Sequence, residues 1–228
     1  PLRITPEHPI YVLQDQEKGL NYNVIKNRLE KKIIRCEFIE AKELTLNDFM
    51  VYHIPTYEND IDSISKDDCY MYGILLGDGS MSSAYLNGYV SLHAESKKHI
   101  LTFIENYFQS KCVQFFIDNG NSENVKRIRW NKNIALPFRH SDLYNTQKEK
   151  YISKKWLNLP LEKARFIVKG LIDTDGCKNS EIVFDNTSRI LIEGLRYLLL
   201  RMGILSSGYI RDRIGETHVT KNGSTITN

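Results

Sequence analysis

The hydrophobic pattern predicts two copies of one arrangement of elements in the later two thirds of the chain. Each copy opens with an apolar, helix-like run that ends in Asp-Gly, followed by a polar stretch, a strand and an amphipathic helix. In the amphipathic helices, apolar side chains recur three and four positions apart. The segments are residues 71–79, 89–93 and 97–108 in the first copy and residues 168–176, 181–185 and 188–202 in the second. A duplication of this kind predicts a pseudo-two-fold module.

Small residues lie four positions apart within each apolar run. They are Gly73 and Gly77 in the first run and Gly170 and Thr174 in the second. Positions i and i+4 share one helix face, and a face of small residues lets two backbones approach closely. If the two helices pack on these faces, Asp78 and Asp175 emerge side by side at their ends. Two carboxylates that close repel each other unless a cation lies with them.

Further strands are predicted outside these segments. Each polar stretch has room for one more strand, with residues 84–86 as the candidate in the first copy. Residues 207–213 alternate polar and apolar side chains and predict a strand after the second copy. The end of the chain, residues 221–228, has the composition of a hairpin that is interrupted midway.

The two Asp-Gly runs resemble the paired signature motifs of LAGLIDADG homing endonucleases. Residues 170–176 (GLIDTDG) are a near-literal match, whereas residues 73–79 (GILLGDG) depart where Leu76 replaces an acid and Gly77 replaces alanine. Intein-borne members of the family often carry this Gly-Asp-Gly form. The resemblance covers residues 66–228 and implies an α/β fold, in which duplicated α-β-β-α units, residues 66–150 and 151–228, form a DNA-binding saddle.

The resemblance implies a metal-dependent cut of both DNA strands. In the family the last acid of each motif, here Asp78 and Asp175, binds a divalent cation, Mg²⁺ or Mn²⁺. The backbone carbonyls of Gly77 and Thr174 would complete an oxygen ligand set that suits Mg²⁺. Such a cation offsets phosphate charge and activates water. The alternative is that either acid alone caps a turn at a helix end.

Lys150 is the candidate for a basic residue that assists catalysis. Intein-type members carry Lys-x-Ile-Pro about this far before the second motif, and residues 150–153 are similar, with Ser153 in place of proline. Such a lysine would polarise water or stabilise developing charge. Alternatively, Lys150 is one solvated lysine among several neighbours. The equivalent lysine of the second copy is expected beyond residue 228.

Charge is mildly favourable for DNA binding. The net charge is +3 and the isoelectric point is about 8.6. Residues 126–132 alternate basic and apolar side chains, as a strand with one basic face does. In the family such strands enter the major groove, where polar side chains read base edges and contact phosphate. The candidate contacts are Ser82, Tyr85, Asn87, His93, Arg127, Arg129, Lys178, Asn179, Arg211 and Arg213. The alternative is an ordinary solvated sheet face.

Residues 1–60 have a different character and predict a small all-β domain. Strands are expected at residues 10–13, 34–39 and 50–54, with a helical stretch at residues 23–32 and a polar linker at residues 57–66. Residues 4–12 and 38–51 resemble two segments of the Hint-type splicing domain of inteins.

Within this resemblance, Thr5 and His8 match the Thr-x-x-His block beside the N-terminal splice junction. In inteins that His promotes the acyl shift. Alternatively, Thr5 to His8 is merely a turn between two prolines. No nucleophilic Cys or Ser precedes Thr5 and no His-Asn pair ends the sequence, so we expect a fragment of a longer intein.

Three functions remain open at this level. The first is a site-specific, intein-borne double-strand DNA endonuclease that acts as a monomer and whose precursor is joined to host exteins. The second is a nucleic-acid-binding module without catalysis, as in related transcription factors and RNA maturases. The third is a splicing protein with a passive endonuclease domain. Four unpaired cysteines and no membrane-length apolar run favour an intracellular location.

Overall fold

The chain folds into two compact units, residues 1–54 and residues 55–228. In this computed structural model the described residues are 3–14, 22–84, 86–120, 124–131, 135–178, 181–211, 215, 217–219 and 225–227. No helix among these described residues has the length and apolar character needed to cross a membrane.

The first unit is a three-stranded antiparallel sheet with one helix. Its elements are β1 (Pro9–Leu13), α1 (Tyr22–Glu30), β2 (Glu37–Glu40) and β3 (Phe49–Met50). The strand β1 lies in the centre, with β2 and β3 on either side. Val12 and Leu13 are buried, whereas the rings of Tyr11 and Phe38 meet on the exposed face. A strand is therefore present near each predicted segment, although β2 begins at Glu37 instead of residue 34 and β3 ends at Met50.

The second unit repeats one order of elements twice. The first copy is α2 (Lys66–Asp78), β4 (Gly79–Met81), β5 (Gly88–His93), α3 (Lys98–Ser110), β6 (Phe115–Asn119) and β7 (Val125–Trp130). After the short helices α4 (His140–Leu143) and α5 (Lys154–Leu157), the second copy is α6 (Leu161–Asp175), β8 (Gly176–Lys178), β9 (Ile182–Phe184), α7 (Arg189–Arg201), β10 (Thr217–Val219) and β11 (Thr225–Thr227). The predicted order of helix, strand and helix is present in both copies, and β7 corresponds to the strand predicted at residues 126–132, whereas β6 was not predicted.

The two copies build their sheets differently. In the first, four strands form one antiparallel sheet in the order β4-β5-β7-β6. In the second, the described strands form two separate ladders, β8-β9 and β10-β11. Each of those strands has three residues, so each ladder has few hydrogen bonds to hold it.

Two strand predictions were wrong in position. Ala84 lies in a turn and Leu86 in a bend with φ of 52°, so the additional strand is β4, directly after the Asp-Gly step. Residues 204–211 have no regular structure, and the strand expected at residues 207–213 is replaced by β10 further along. The strand β4 starts where α2 ends, and β10 is located by its pairing with β11. The periodicity of apolar residues does not predict either starting point.

Residues 57–66, predicted to be a linker, are bound to the second copy. Asn59 N–H donates to Asn158 O at 2.7 Å, and Glu58 accepts from Leu161 N–H and from the buried guanidinium of Arg201. The polar residues of this segment therefore form hydrogen bonds with the ends of helices. The sequence alone did not predict these contacts.

Candidate active site

The helix α2 begins at a reciprocal cap that also joins it to α3. Ser65 Oγ accepts from Asp68 N–H at 3.1 Å, and Asp68 Oδ2 accepts from Ser65 N–H at 2.8 Å. Asp68 is fully buried, and its other oxygen accepts from Tyr107 O–H at 2.7 Å and pairs with Lys111 at 2.9 Å. The start of the first motif helix is thereby fixed, and with it the position of the acid at its far end.

The helices α2 and α6 meet backbone to backbone along the predicted face of small residues. A Cβ added to Gly73 would lie 2.9 Å from the Cα of Gly170, and one added to Gly170 would lie 2.8 Å from Ile74 N. A Cβ on Gly77 would lie 2.6 Å from Thr174 Cβ. This contact brings the two Asp-Gly ends together, because both helices end at the same side of the crossing.

Asp78, the last residue of α2, is paired with a lysine from its own half. Lys97 Nζ lies 2.6 Å from Asp78 Oδ2, and the same amine donates to Thr174 O, also at 2.6 Å. Lys97 directly precedes α3. Its single ammonium group contacts the ends of both motif helices, through Asp78 of α2 and Thr174 of α6.

Asp175, the last residue of α6, is half-buried. Burial, and then the negative charge of Asp78, raises the pKa of Asp175 above its ordinary value; Lys150, Lys97 and a hydrogen bond from Asn186 act in the opposite direction. Asn186 Nδ2 approaches Asp175 Oδ2 at 3.4 Å.

Lys150, the lysine predicted to assist catalysis, lies against the end of α2. Its Nζ donates to Gly77 O at 2.5 Å and to Leu75 O at 3.3 Å. Burial lowers the pKa of Lys150, although the charges of Asp175 and Asp78 oppose that shift. The backbone carbonyl of Lys150 accepts from Ser188 Oγ at 2.6 Å, which fixes this segment to the start of α7.

The donor set suits a hard divalent cation. Oxygens of Asp78, Gly77 and Thr174 accept from lysine ammonium groups at the helix ends. Asp175 lies near enough for the charges of Asp78, Lys150 and Lys97 to shift its pKa. Within the described part of the chain, no group of three or more His, Cys, Asp or Glu side chains is arranged to hold a metal. Carboxylate and carbonyl oxygens are the ligands that Mg²⁺ prefers, together with water and phosphate oxygens.

The sheet of the first copy presents basic residues on one face. In β7, Ile128 and Trp130 are buried, whereas Arg127 and Arg129 point to the opposite face, as the alternation predicts. Arg127 stacks over the ring of Tyr89 in β5, with 5.1 Å from its guanidinium carbon to the ring centroid. Arg129 forms an ion pair with Asp118 of β6, so the face carries an acid among its basic groups.

The other predicted DNA contacts are dispersed. Ser82 and Asn87 flank the turn between β4 and β5, where Ser82 N–H donates to Asn87 O at 3.0 Å, and His93 is exposed at the end of β5. Arg211 is exposed in the irregular segment after α7. Tyr85, Asn179, Arg213 and the side chain of Lys178 lie outside the described residues.

Sequence reasoning missed Lys97 and Asn186. Both lie between a strand and the following helix, in matching places of the two copies. Aligning the two copies shows that these connections correspond. A single lysine or asparagine in such a connection matches no sequence motif, so neither residue could be assigned a role. Only the geometry shows that the connection turns back towards the motif helices.

In the first unit, Thr5 and His8 are exposed and form a turn before β1. His8 N–H donates to Thr5 O at 3.1 Å, and His8 O accepts from Ala41 N–H at 2.9 Å. A turn with both side chains exposed accords with either interpretation of residues 5–8, so the splicing role of Thr5 and His8 stays a prediction.

Comparison with known proteins shows what this chain is similar to. Residues 162–227 match the sequence profile of the LAGLIDADG-like domain family. The fold is similar to that of mesophilic variants of the homing endonuclease I-DmoI, with a TM-score of 0.50 and 14% identity over 66% of this chain and 84% of that chain. The predicted α/β class is thereby confirmed, and the fold is similar to that of a homing endonuclease. The resemblance of residues 1–60 to a Hint-type splicing domain stays a prediction.

Individual relatives can also be named. I-DmoI in complex with DNA and Ca is 15% identical, with a TM-score of 0.48 over 64% of this chain and 76% of that chain. In sequence, the chain is 29% identical over 225 residues to ATP-dependent DNA helicase Hel308 of Methanocaldococcus jannaschii. That alignment covers 95% of this chain but 18% of the helicase, so the chain spans less than a fifth of this relative.

Proposed function

We propose that this chain is the endonuclease-bearing part of an intein and makes a double-strand break at a long, asymmetric DNA site. The observation that carries the proposal is the pair of acids, Asp78 and Asp175, at the ends of two helices packed backbone to backbone. The strands of a duplex are themselves related by two-fold symmetry, so a pseudo-two-fold pair of acids offers one carboxylate to each strand. Because one chain supplies both acids, we propose that it acts as a monomer.

The residues of the site have separate roles in this proposal. Asp78 and Asp175, with the carbonyls of Gly77 and Thr174, would hold Mg²⁺ or Mn²⁺. A bound divalent cation supplies charge neutralisation at phosphate and a more acidic water. Lys150, whose pKa burial lowers, lies within reach of both acids and would polarise the attacking water or stabilise the charge that develops on phosphate.

The basic face of the first sheet is the proposed DNA surface. Arg127 and Arg129 lie two residues apart on the outward face of β7, and Arg127 makes a cation–π contact with the ring of Tyr89. Guanidinium groups bind phosphate or guanine with two hydrogen bonds, so they serve both positioning and base reading.

The helicase alignment supports the intein part of the proposal. The relative is an ATP-dependent helicase, yet this chain contains no Gly-x-x-x-x-Gly-Lys-Ser/Thr phosphate-binding motif, so the aligned part differs from an ATP-binding core of that type. An intervening segment within a host helicase accounts for both facts. The exposed side chains of Thr5 and His8 would then serve splicing in the precursor, which joins the flanking exteins.

A plasmid cleavage assay tests the proposal. The full-length protein would be incubated with Mg²⁺ and a plasmid that carries the host helicase gene without the intervening segment. We expect linear product at one site, and Asp78→Asn and Asp175→Asn should each abolish it while leaving DNA binding in place. Linear product from both variants would contradict the assigned roles.

The same assay separates the other functions. Sequence-specific binding without cleavage by the unaltered protein, in both Mg²⁺ and Mn²⁺, would make the chain a nucleic-acid-binding module. Ligated flanking segments from the precursor, without cleavage, would make it a splicing protein with a passive endonuclease domain.

A further inference from the structure

Two ammonium groups take matching positions in the pseudo-two-fold site. Lys97 Nζ donates to Thr174 O, the carbonyl just before Asp175, and Lys150 Nζ donates to Gly77 O, the carbonyl just before Asp78. Each lysine therefore binds the last carbonyl before one motif acid. The sequence does not reveal this match, because Lys97 precedes α3 while Lys150 precedes α5.

Lys97 is held by the groups that a divalent cation would use. Its Nζ lies 2.6 Å from the carboxylate of Asp78 and 2.6 Å from the carbonyl of Thr174, so it joins one ligand from each motif. Both of its partners are oxygen donors of the kind that bind Mg²⁺. The side chains of Lys97 and Asp78 are 24% and 23% exposed, which leaves the amine a route into solvent.

We propose that the Lys97 ammonium occupies the Asp78 cation position in the metal-free protein and has to leave it before a divalent cation binds there. This inference rests on the metal site of the proposed function. In the absence of metal, Lys97 offsets the repulsion between Asp78 and Asp175 and thereby stabilises the contact of the two helix ends. Its long, flexible side chain allows the amine to swing out while the backbone stays in place.

The two positions differ in how firmly the lysine is bound. Lys97 has both a carboxylate and a carbonyl partner, whereas the partners described for Lys150 are the carbonyls of Gly77 and Leu75. Displacing Lys97 therefore breaks a direct contact with a carboxylate, whereas displacing Lys150 breaks hydrogen bonds to carbonyls and moves its charge away from the two acids. We infer that the position at Asp175 fills first and that the position at Asp78 needs a higher metal concentration.

Mn²⁺ binding to the full-length protein, without DNA, tests this inference. The electron paramagnetic resonance signal of free Mn²⁺ gives the affinity of each position. Lys97→Met should tighten the weaker position by about tenfold, the order expected for loss of a partly buried ion pair that competes with the metal. The matched control is Lys98→Met, which removes the same charge from the exposed side chain of the next residue.

A second measurement follows the metal-free state. In EDTA, Lys97→Met should lower the melting temperature more than Lys98→Met, and this loss should disappear in an Asp78→Asn background. The inference is overturned if Lys97→Met binds Mn²⁺ no more tightly than Lys98→Met, including the case in which neither variant binds the ion. Plasmid cleavage by the unaltered protein would then leave the proposed function intact. Tighter Mn²⁺ binding in a protein that cuts no DNA would support this inference and overturn the endonuclease proposal.

Discussion

The charge of Asp175, which the proposed metal site requires, destabilises the metal-free folded protein. Burial, together with the charge of Asp78, raises its pKa in the folded chain above the unfolded value of about 3.9. The folded state then holds the Asp175 proton more tightly than the unfolded state does. The free energy of unfolding therefore falls as pH rises from the unfolded pKa through the folded pKa, and the full penalty applies above both.

We predict that Asp175→Asn stabilises the metal-free protein at pH 7, because asparagine keeps the shape of the side chain without its charge. The gain should vanish near pH 3, where aspartate is protonated in both states. Thermal unfolding in EDTA at the two pH values measures the difference. The exposed Asp62→Asn serves as the control for loss of one negative charge, and a lower melting temperature for Asp175→Asn at pH 7 would contradict the prediction.

Asp68 has the opposite electrostatic behaviour, although it is more deeply buried. Burial alone would raise its pKa, yet hydrogen bonds from Ser65, Lys111 and Tyr107 outweigh burial and hold the pKa below its ordinary value. Its charged form stabilises the fold above the unfolded pKa, and that contribution is lost as pH falls through the folded pKa.

Tyr107→Phe should lower the free energy of unfolding by about 1–2 kcal/mol at pH 7, because a buried carboxylate loses a hydrogen bond at 2.7 Å. The deficit should shrink in acid, where Asp68 becomes protonated. Urea unfolding at several pH values measures it. Tyr209→Phe, at a side chain that is 89% exposed, should change nothing, and an equal loss in both variants would refute the assignment.

At the scale of elements, the crossing of α2 and α6 sets the geometry of the site. Gly73 and Gly170 contact each other where any side chain would force the backbones apart. The separation of the two acids is therefore determined by main-chain contact rather than by the packing of flexible side chains.

Gly73→Ala should lower the free energy of unfolding by at least about 2 kcal/mol, because the new methyl group meets the backbone of α6 and neither helix can yield locally. Chemical denaturation measures this loss. Gly194→Ala in α7 is the matched control, since its Cβ would meet only the flexible side chain of Ile152 at 3.3 Å and a helix gains from alanine. Similar losses in the two variants would show that the close crossing is not what matters.

The helices were predictable because their signals are local. The apolar runs and the Ile100, Ile104 and Leu195 periodicities locate helices whose inward faces are indeed buried. The strand β4 was misplaced because three residues are too few to show alternation, and it begins at the same Gly79 that ends α2. Its position follows from pairing with β5, which is a non-local contact.

For the whole molecule, the basic face predicts how DNA affinity depends on salt. Arg127→Ala and Arg129→Ala should each weaken binding across sequences, and the slope of log affinity against log salt should fall by about 0.9 for every phosphate contact that is lost. Fluorescence anisotropy over a salt series measures both quantities. The exposed Lys26→Ala in α1 of the other unit is the control, and unchanged slopes for both arginine variants would remove this face from the proposed DNA surface.

The candidate site was only partly predictable from the chain. Asp78, Asp175 and Lys150 follow from motif resemblance, and the structure brings them together. Lys97 has no motif, because its role depends on a carbonyl 77 positions away along the chain. Arg129 was predicted as a DNA contact, but its ion pair with Asp118 was not predictable because it depends on the register of β6 against β7.

The glycine contact between α2 and α6 also bears on the origin of the chain. Gly73 meets Gly170, its counterpart in the other copy, as one residue meets itself across the axis of a symmetric dimer. Such a surface is self-complementary, so a gene that encodes a single half would yield a product able to pair with a second copy of itself. Fusion of two such genes would keep the contact, and the two halves could then change in sequence independently. Lys97 and Asn186, which lie in the same connection of the two copies, are what that divergence would leave behind.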